Sequence, residues 1–402
     1  MKKIGVWLIG ALGSISITVM TGALLLRKGL CDSTGMITAT EPFSELGLVP
    51  VDAMEFGGCD IRPERLREVV SGILKNPCGI DPCLIGSIER ELAGIESFIY
   101  PGVSLNCGEA IELMSGVDKY VSRSAREEIT RVISGINEFK SVKGLDELVV
   151  VNLASTEPLI EMGHAHHDLE ALERCIDDNG FESFRPSTIY AYAAIQSQSP
   201  YINFTPSTGA LFPAMVKLAE RNGVPVMGND GKTGETLVKS TLAPMFKYRN
   251  LEVLSWEGFN ILGNMDGKVL DHPDNRRAKI QTKDSVLPRI LGYSPHSNVH
   301  INYVPSLGDQ KTAWDYIHFK GFMGAKMSLQ FVWQGYDSFL AAPLVLDLVR
   351  LAELAHRRGE AGLMTHLASY FKDPLGVTEH RLSGQFEMLM DYVSIASRHQ
   401  TL

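Results

Sequence analysis

Two lysines and an aspartate stand close together in the stretch V-M-G-N-D-G-K-T-G-E-T-L-V-K at residues 226–239. A β-branched run, a turn rich in Gly and Asp, and a helical pattern starting near Thr233 follow one another there. Free backbone N–H groups at a helix N-terminus attract anions, and Lys232 adds a full positive charge. Lys239 lies two helical turns further on, on roughly the same face. Two lysines facing one anion site suggest a phosphate site, but these fourteen residues alone favour a strand-to-helix connection with solvated lysines.

A second turn suited to binding an anion is G-A-L-G-S at residues 10–14. It joins an alternating apolar pattern at residues 3–9, typical of a buried strand, to an apolar helix at residues 15–26. Glycines at such a turn let the backbone approach a dinucleotide pyrophosphate closely. The G-x-G-x-x-G spacing is not met, and Ser16 stands where a third glycine would help. Residues 4–26 are also uncharged and long enough to span a bilayer, so a membrane anchor is the alternative.

Length and composition narrow the class of protein. The chain has 402 residues, 45% hydrophobic and 21% charged, which predicts a globular protein of two or three domains. A formal charge of -9 without a long basic run argues against nucleic-acid binding. The six cysteines form no CxxC pair, so we expect reduced thiols and a cytoplasmic protein.

The elements that would position these turns can be predicted in outline. Strands are expected at residues 36–40 and around 54–56, the latter ending in G-G-C-D-I, and helices over most of residues 62–147. The apolar run at residues 148–153 predicts a central parallel strand, and its polar end, A-S-T-E, lies where open α/β sheets bind ligands.

The pattern changes after residue 250. Strands separated by turns are predicted at residues 251–254, 259–262 and 298–304, which indicates an inserted domain with a partly antiparallel sheet. A further strand is expected at residues 326–333, followed by a long helix at residues 338–357. Lys279 and Lys283 lie one helical turn apart in a basic run, and Lys372 stands among apolar residues before a proline.

Residues 162–168, M-G-H-A-H-H-D, carry three histidines and an aspartate. These side chains could ligate a metal, but no distant partner completes a ligand set. We interpret the segment as a solvated loop and predict no metal site.

Several blocks of the sequence resemble the myo-inositol-1-phosphate synthase family and follow one another in the family's order. Residues 57–61 (GGCDI) resemble the family's GGWDI, residues 151–157 (VNLASTE) its LWTANTE, and residues 228–236 (GNDGKTGET) its GDDxKSGQT. Residues 186–190 and 200–203 resemble PSTIF and PYIN, residues 260–267 resemble NHLGNNDG, and residues 308–316 resemble GDSKxAMDEY. The C-terminal matches are residues 340–349 and 369–375.

The resemblance implies an α/β fold with three parts. Residues 1–200 would form a Rossmann-like NAD-binding domain, residues 201–308 an inserted mixed-sheet domain for catalysis and tetramer contacts, and residues 309–402 a helical part that packs back. The glycine turn would then be an NAD finger rather than part of an anchor. A soluble, cytoplasmic homotetramer is expected, with no nucleic-acid partner and no membrane.

The resemblance also implies an isomerase that converts glucose 6-phosphate to 1L-myo-inositol 1-phosphate by oxidation, enolisation, aldol cyclisation and reduction. By position, the catalytic residues would be Lys232, Lys239, Lys283, Asp309 and Lys372. NAD would be held by Gly10, Gly13, Ser14, Ile15, Asp60, Ala154, Ser155, Thr156 and Asp230. The substrate would be held by Asn203, Thr205, Asn264, Asp266 and Lys279. A divalent or monovalent cation is a further expectation that the sequence leaves open.

Some residues depart from the family pattern at these pockets. Ser155 replaces an asparagine, Pro158 stands where arginine is usual, and Phe204 stands at a glycine of the NGSPQNT block, with Ser207 and Thr208 for Gln and Asn. The chemistry could therefore act on another sugar phosphate. The alternatives are an NAD-dependent dehydrogenase, epimerase or cyclase on such a substrate, or a non-catalytic homologue.

Overall fold

The computed structural model describes residues 2–74, 82–116, 124–284 and 286–398. At a few positions within these ranges, Lys283 among them, it describes the backbone alone.

A seven-stranded sheet, parallel throughout, forms the first half of the architecture, in the order β11-β6-β5-β4-β1-β2-β3. Its strands are β1 (Ile4–Ile9), β2 (Met54–Asp60), β3 (Ile99–Pro101), β4 (Glu147–Asn152), β5 (Tyr201–Asn203), β6 (Pro225–Gly228) and β11 (Gly362–Leu363). The chain moves outward from β1 through β2 and β3 and then returns to the other side of β1. Loops at the carboxyl ends of β1 and β4 therefore diverge and leave a crevice, the usual ligand position in such sheets.

A four-stranded mixed sheet, in the order β10-β9-β7-β8, forms the second half. Its strands are β7 (Glu252–Leu262), β8 (His296–Tyr303), β9 (Gln310–Lys320) and β10 (Lys326–Tyr336). β7 pairs parallel with β8 and antiparallel with β9, and β9 pairs antiparallel with β10.

Helices cover both faces of the seven-stranded sheet and one face of the mixed sheet. They are α1 (Ser14–Arg27), α2 (Leu66–Leu74), α3 (Pro82–Gly86), α4 (Glu89–Glu96), α5 (Glu109–Glu112), α6 (Ala125–Lys143), α7 (Leu169–Asp177), α8 (Pro186–Gln196), α9 (Pro213–Asn222), α10 (Gly234–Tyr248), α11 (Met265–Leu270), α12 (Pro273–Asp284), α13 (Val286–Leu291), α14 (Asp337–Arg357) and α15 (Leu382–Arg398). One apolar core lies between the large sheet and α1, α14 and α15, and another lies on the opposite face under α6, α8 and α9.

The N-terminal apolar stretch is a strand, a turn and a helix, as predicted. Every residue of β1 is buried, and the core side of α1 packs into the same cluster as α14. No helix in the described ranges combines the length and the apolar character that crossing a membrane requires.

Two predictions of local structure are wrong, and three strands, β3, β9 and β11, were not predicted. Residues 36–40 hold a short 3₁₀ helix (Ile37–Ala39), because the backbone N–H groups of Ile37 and Thr38 donate to the buried carboxylate of Asp347. The predicted strands at 251–254 and 259–262 are one strand, β7, with a register shift near its start. β9 was not predicted, although it is central in the mixed sheet.

The strands on either side of residues 200 and 308, the predicted domain boundaries, can be assigned to one or the other sheet. β5 and β6, which follow residue 200, belong to the large parallel sheet, whereas β9 and β10, which follow residue 308, belong to the mixed sheet. The position of domain boundaries stays a prediction. The five described cysteines are free thiols.

Candidate active site

The glycine turn after β1 approaches the end of β4 closely. Gly10 has a φ of +78°, and a Cβ placed on it would lie 2.9 Å from the Cα of Ala154. The N–H of Gly10 donates to the carbonyl of Cys59 over 2.9 Å, and the carboxylate of Asp60 accepts the N–H of Leu12 over 2.8 Å. The ends of β1, β2 and β4 are thereby held together around a bare backbone.

A cleft of about 410 Å³ follows this turn. Its wall includes Gly10, Gly13, Asp60, Ala154 and Ser155. α1 begins beside it with Gly13 as N-cap and no side-chain cap, so the first N–H groups of the helix are left for a ligand. Bare glycines, an uncapped helix and a carboxylate at the end of β2 are what a dinucleotide such as NAD requires. We call this the dinucleotide cleft.

Beside it lies a smaller cavity of about 140 Å³, here called the lysine pocket. Six charged side chains line it: Asp230, Asp266, Lys279, Lys311, Asp337 and Lys372. They come from the loop after β6, from α11 and α12, from β9 and α14, and from the loop after residue 370. Both sheets therefore contribute to one pocket.

Lys372 and Asp230 form the central ion pair of the pocket. The Nζ of Lys372 donates to Oδ1 of Asp230 over 2.9 Å, and its backbone N–H donates to the carbonyl of Asp230 over 2.7 Å. Burial lowers the pKa of Lys372; Asp230 opposes this effect, and the charges of Lys279 and Lys311 reinforce it. Lys372 is therefore the ammonium group of the pocket that gives up its proton most readily.

Lys279 and Lys311 are held as cations. The Nζ of Lys279 lies 3.6 Å from Asp266 and 3.9 Å from Asp230, and the Nζ of Lys311 donates to Asp337 over 2.9 Å. Burial alone would lower the pKa of both lysines. The facing carboxylates outweigh the effect of burial, so the pKa of each lysine is raised. Burial would raise the pKa of Asp337, yet the charge and hydrogen bond of Lys311 lower it to about 2.

The pocket and the dinucleotide cleft share part of their walls. Gly13, Ser14, Ala154, Ser155 and Met265 border both. A ligand in the pocket would therefore meet the end of a dinucleotide in the cleft at this border, which is the geometry that hydride transfer needs.

Asp309 joins the two halves of the protein next to that border. It accepts from Ser338 over 2.5 Å and from Asn264 over 3.4 Å, and Ser14 also hydrogen-bonds to it. Burial raises the pKa of Asp309, and these hydrogen bonds oppose the rise. Asp309 does not line the lysine pocket; it positions residues that do.

The predicted pair Lys232 and Lys239 does not share a face, which corrects the sequence interpretation. α10 begins at Gly234, so Lys232 precedes the helix, and its ammonium group donates to Gln385 of α15. Burial, reinforced by the charge of Lys372, lowers the pKa of Lys232 to about 7. Lys239 lies on α10, fully buried, 2.7 Å from Glu235 and 3.9 Å from Asp315. Neither lysine lines the pocket.

The remaining predicted residues fall in three groups. Ile15, Thr156, Thr205 and Asn264 line the lysine pocket, while Asn203 is buried behind it and accepts from the hydroxyl of Thr205 over 2.8 Å. Thr156 is fixed by Asn275 of α12, whose side-chain amide donates to its carbonyl over 2.7 Å. The side chain of Lys283 lies outside the described part of the chain.

Lys311 and Asp337 are pocket residues that the site prediction missed. The sequence signal was present, because Lys311 lies in the block at residues 308–316, whose aspartate was selected instead. Within the described ranges, no three His, Cys, Asp or Glu side chains are grouped so as to hold a metal ion. The histidine segment holds His166 buried, accepting the N–H of Gly163 and facing the carbonyl of Ser183.

The fold and the two cavities define a class: an α/β protein of the dinucleotide-binding type, with a pocket of three lysines and three aspartates beside the dinucleotide cleft. Comparison with known proteins gives the family. The family model described as myo-inositol-1-phosphate synthase matches residues 4–393, and the chain belongs to that family. Membership of this family confirms three predictions for the chain: an NAD-binding domain, the α/β fold class and the isomerase class.

Relatives and solved structures agree with this assignment. Inositol-3-phosphate synthase 1 of Bacteroides thetaiotaomicron is 34% identical, over 94% of this chain and 91% of its own length. The crystal structure of inositol-3-phosphate synthase from Caenorhabditis elegans matches with a TM-score of 0.88 at 25% identity, over 98% of this chain and 86% of its own. A myo-inositol-1-phosphate synthase-related protein from Thermotoga maritima matches with a TM-score of 0.78 at 27% identity, over 98% of both chains.

Proposed function

We propose that the protein converts glucose 6-phosphate to 1L-myo-inositol 1-phosphate, with NAD used and regenerated within one turnover. The observation that supports this proposal is the shared border of the two cavities, because it sets the pocket of Lys279, Lys311 and Lys372 against the dinucleotide cleft. A dehydrogenase needs only one hydride-transfer site, whereas an enolate intermediate also needs several fixed cations around one carbon skeleton.

The phosphate of the substrate is proposed to bind at the N-terminus of α10. Thr233 is its N-cap without a side-chain cap, and the buried hydroxyl of Thr236 has no hydrogen-bond partner among the described residues. Backbone N–H groups of the first turn and that hydroxyl would donate to phosphate oxygens, with Lys311 and Lys279 as counter-charges.

NAD, when bound, supplies the acceptor for the hydride of C5 and the donor that returns it. Neutral Lys372 is proposed to take the proton of the C5 hydroxyl as that carbon is oxidised, and its ammonium form then to hold the new carbonyl oxygen. The ketone makes the C6 hydrogens acidic, and one of these protons is proposed to pass to the phosphate dianion of the substrate, which returns it after ring closure. The enolate that remains is stabilised by Lys372 and Lys279.

Ring closure follows on the same cations. C6 attacks the C1 aldehyde, and the alkoxide that forms on O1 takes a proton from a pocket ammonium group. Reduction at C5 then restores a hydroxyl there, so substrate and product are isomers and no external oxidant is consumed.

The lysines outside the pocket receive supporting roles. Lys232 is proposed to act on Lys372 through its charge, and Lys239 to hold Glu235 and Asp315 in place behind β7. Lys283 stays a candidate phosphate ligand by family position.

Assembly and location complete the proposal. The outer face of the mixed sheet carries Phe259, Trp314 and Val332 in one cross-strand row, with 38%, 38% and 61% of their surfaces exposed. Apolar rows of this kind are typical of subunit interfaces, and we propose a homotetramer, in the cytoplasm, that uses this face.

The cation that the resemblance allows is tested by assays with and without EDTA and with exchanged monovalent salts.

The experiment that tests the reaction is incubation with glucose 6-phosphate and sub-stoichiometric NAD. Inositol phosphate is followed by phosphorus NMR and NADH by absorbance. Product in excess of NAD, without accumulation of NADH, is expected. Steady NADH accumulation would indicate a dehydrogenase, and tight NAD binding without any turnover would indicate a non-catalytic homologue.

A further inference from the structure

Phe204 and Gly231 lie against each other on the wall of the lysine pocket. A Cβ placed on Gly231 would lie 2.0 Å from both Cε1 and Cζ of Phe204. The backbone of Gly231 is not left-handed, in contrast to that of Gly10. The absence of a side chain at residue 231 is therefore required by the ring of Phe204 and not by the backbone.

Three chain segments hold this ring in place. The N–H of Gly231 donates to the carbonyl of Phe204 over 3.0 Å, and Gly231 forms an antiparallel bridge with Phe371. The ring of Phe371 meets that of Phe204 edge-on, with centroids 6.4 Å apart. Only 6% of Phe204 is exposed, so the ring cannot swing away without breaking these contacts.

The ring is an apolar surface beside the central ion pair. Asp230 and Lys372 directly adjoin Gly231 and Phe371 in the chain, and all of these except Phe371 border the pocket with Phe204. A sugar hydroxyl turned towards the ring would lose its hydrogen-bond partner, whereas the C–H face of a sugar ring would not.

We infer that Phe204, accommodated by Gly231, is a specificity wall against which the C–H face of a hexose phosphate packs. This inference rests on the proposed function, since it assigns the orientation of the sugar within the same pocket. It adds that the pocket rejects sugar phosphates that direct a hydroxyl at this wall. The two positions act as one unit, because a side chain at residue 231 can exist only if the ring is absent.

Calorimetric binding to the NADH-loaded protein tests the wall without turnover, because the reduced cofactor cannot accept the hydride of C5. The probes are glucose 6-phosphate and inorganic phosphate, and the variants are Phe204→Ala and the matched control Phe322→Ala, whose ring is 90% exposed. Phe204→Ala should weaken glucose 6-phosphate binding about 10-fold, the scale of one aromatic contact. The affinity for inorganic phosphate should change by less than about 2-fold in either variant, because phosphate alone does not reach the aromatic ring.

A double-mutant cycle tests the coupling of the two positions. Gly231→Ala alone should lower both the melting temperature and the affinity for glucose 6-phosphate, and adding Phe204→Ala should recover most of the melting temperature. Gly94→Ala, where a Cβ would meet nothing within 4 Å, is the control. Additive effects would overturn the coupling.

The outcomes separate this inference from the proposed function. If wild type binds glucose 6-phosphate no more tightly than inorganic phosphate, or Phe204→Ala leaves that ratio unchanged, the wall is overturned. If wild type shows the expected ratio but forms no inositol phosphate, the wall stands and the reaction does not.

Discussion

Lys372 and Asp230, 142 positions apart in the chain, are joined twice: by an ion pair of 2.9 Å and by a backbone hydrogen bond of 2.7 Å. The second contact fixes the direction of the first, because the carbonyl of Asp230 holds the backbone from which the Lys372 side chain extends. The amine is thus positioned before any substrate arrives, which is the condition for electrostatic catalysis at low reorganisation cost.

Replacing Lys372 by alanine should reduce turnover of glucose 6-phosphate by about 100-fold or more, because a positioned cation is lost from the enolate site. NAD affinity should be unchanged, since Lys372 does not border the dinucleotide cleft. Turnover and NAD titration are measured in parallel, with exposed Lys217→Ala as the control. A Lys372→Ala enzyme within about 3-fold of wild type would remove Lys372 from the mechanism.

Removing Asp230 should shift the pH profile. Asp230 raises the pKa of Lys372 against the effect of burial, so Asp230→Asn should lower that pKa further. If neutral Lys372 is the base, the acidic limb of kcat/KM moves to lower pH while the maximum rate falls through loss of positioning. An acidic limb that stays in place would assign the limb to another group.

Replacing Gly10 by alanine should weaken NAD binding at least about 10-fold, because the added Cβ collides with the backbone of Ala154 at the pyrophosphate turn. Gly29→Ala is a matched control: its φ is also positive, at +65°, but a Cβ there meets nothing within 4 Å. Both variants place alanine at a positive φ, so a difference in NAD affinity reports the collision. Equal affinities would contradict the assignment of the turn.

Lys232→Met should stabilise the protein at pH 7 by on the order of 3 kcal/mol. The folded pKa of Lys232 is about 7 and the ordinary value is 10.5. Between these values the unfolded chain binds the proton that the folded chain releases, so wild-type stability rises with pH across this window, and the cost is greatest below pH 7. The variant should flatten that rise. Urea unfolding at a series of pH values, with Lys217→Met as control, measures it, and an unchanged slope would place the effect elsewhere.

Trp314→Glu on the outer face of the mixed sheet should break the proposed tetramer into smaller species, because a charge replaces an apolar contact in the interface row. Light scattering at several concentrations reports the mass, and Phe322→Glu, in the turn before β10, is the comparison. A wild-type protein with the scattering mass of a monomer would itself contradict the tetramer.

Several elements could be predicted from the sequence because the residues that specify them are neighbours in the chain. The strand, glycine turn and apolar helix at the N-terminus, and the strand and helix around residues 226–239, are set by neighbouring residues whose periodicity is visible in the chain. α8 spans residues 186–196 for a local reason of the same kind, because Pro186 starts it and apolar residues continue it. The order of the family blocks likewise belongs to the sequence and led to the family that comparison confirmed.

β9 could not be predicted in this way. Its buried face carries Lys311 and Asp315 alongside Ala313 and Ile317, so the alternation of hydrophobicity that marks a strand is missing. These charges are tolerated because each meets a partner from another element: Lys311 meets Asp337, and Asp315 accepts the indole N–H of Trp256 over 2.6 Å.

The amino-acid sequence by itself therefore determined the strand-turn-helix units, including the glycine turn after β1, and the family. Tertiary structure decided which lysines face the pocket, replacing Lys232 and Lys239 by Lys311 beside Lys279 and Lys372. The physical reason is that a lysine's role depends on its burial and on the carboxylates around it, and both are supplied by segments distant in sequence.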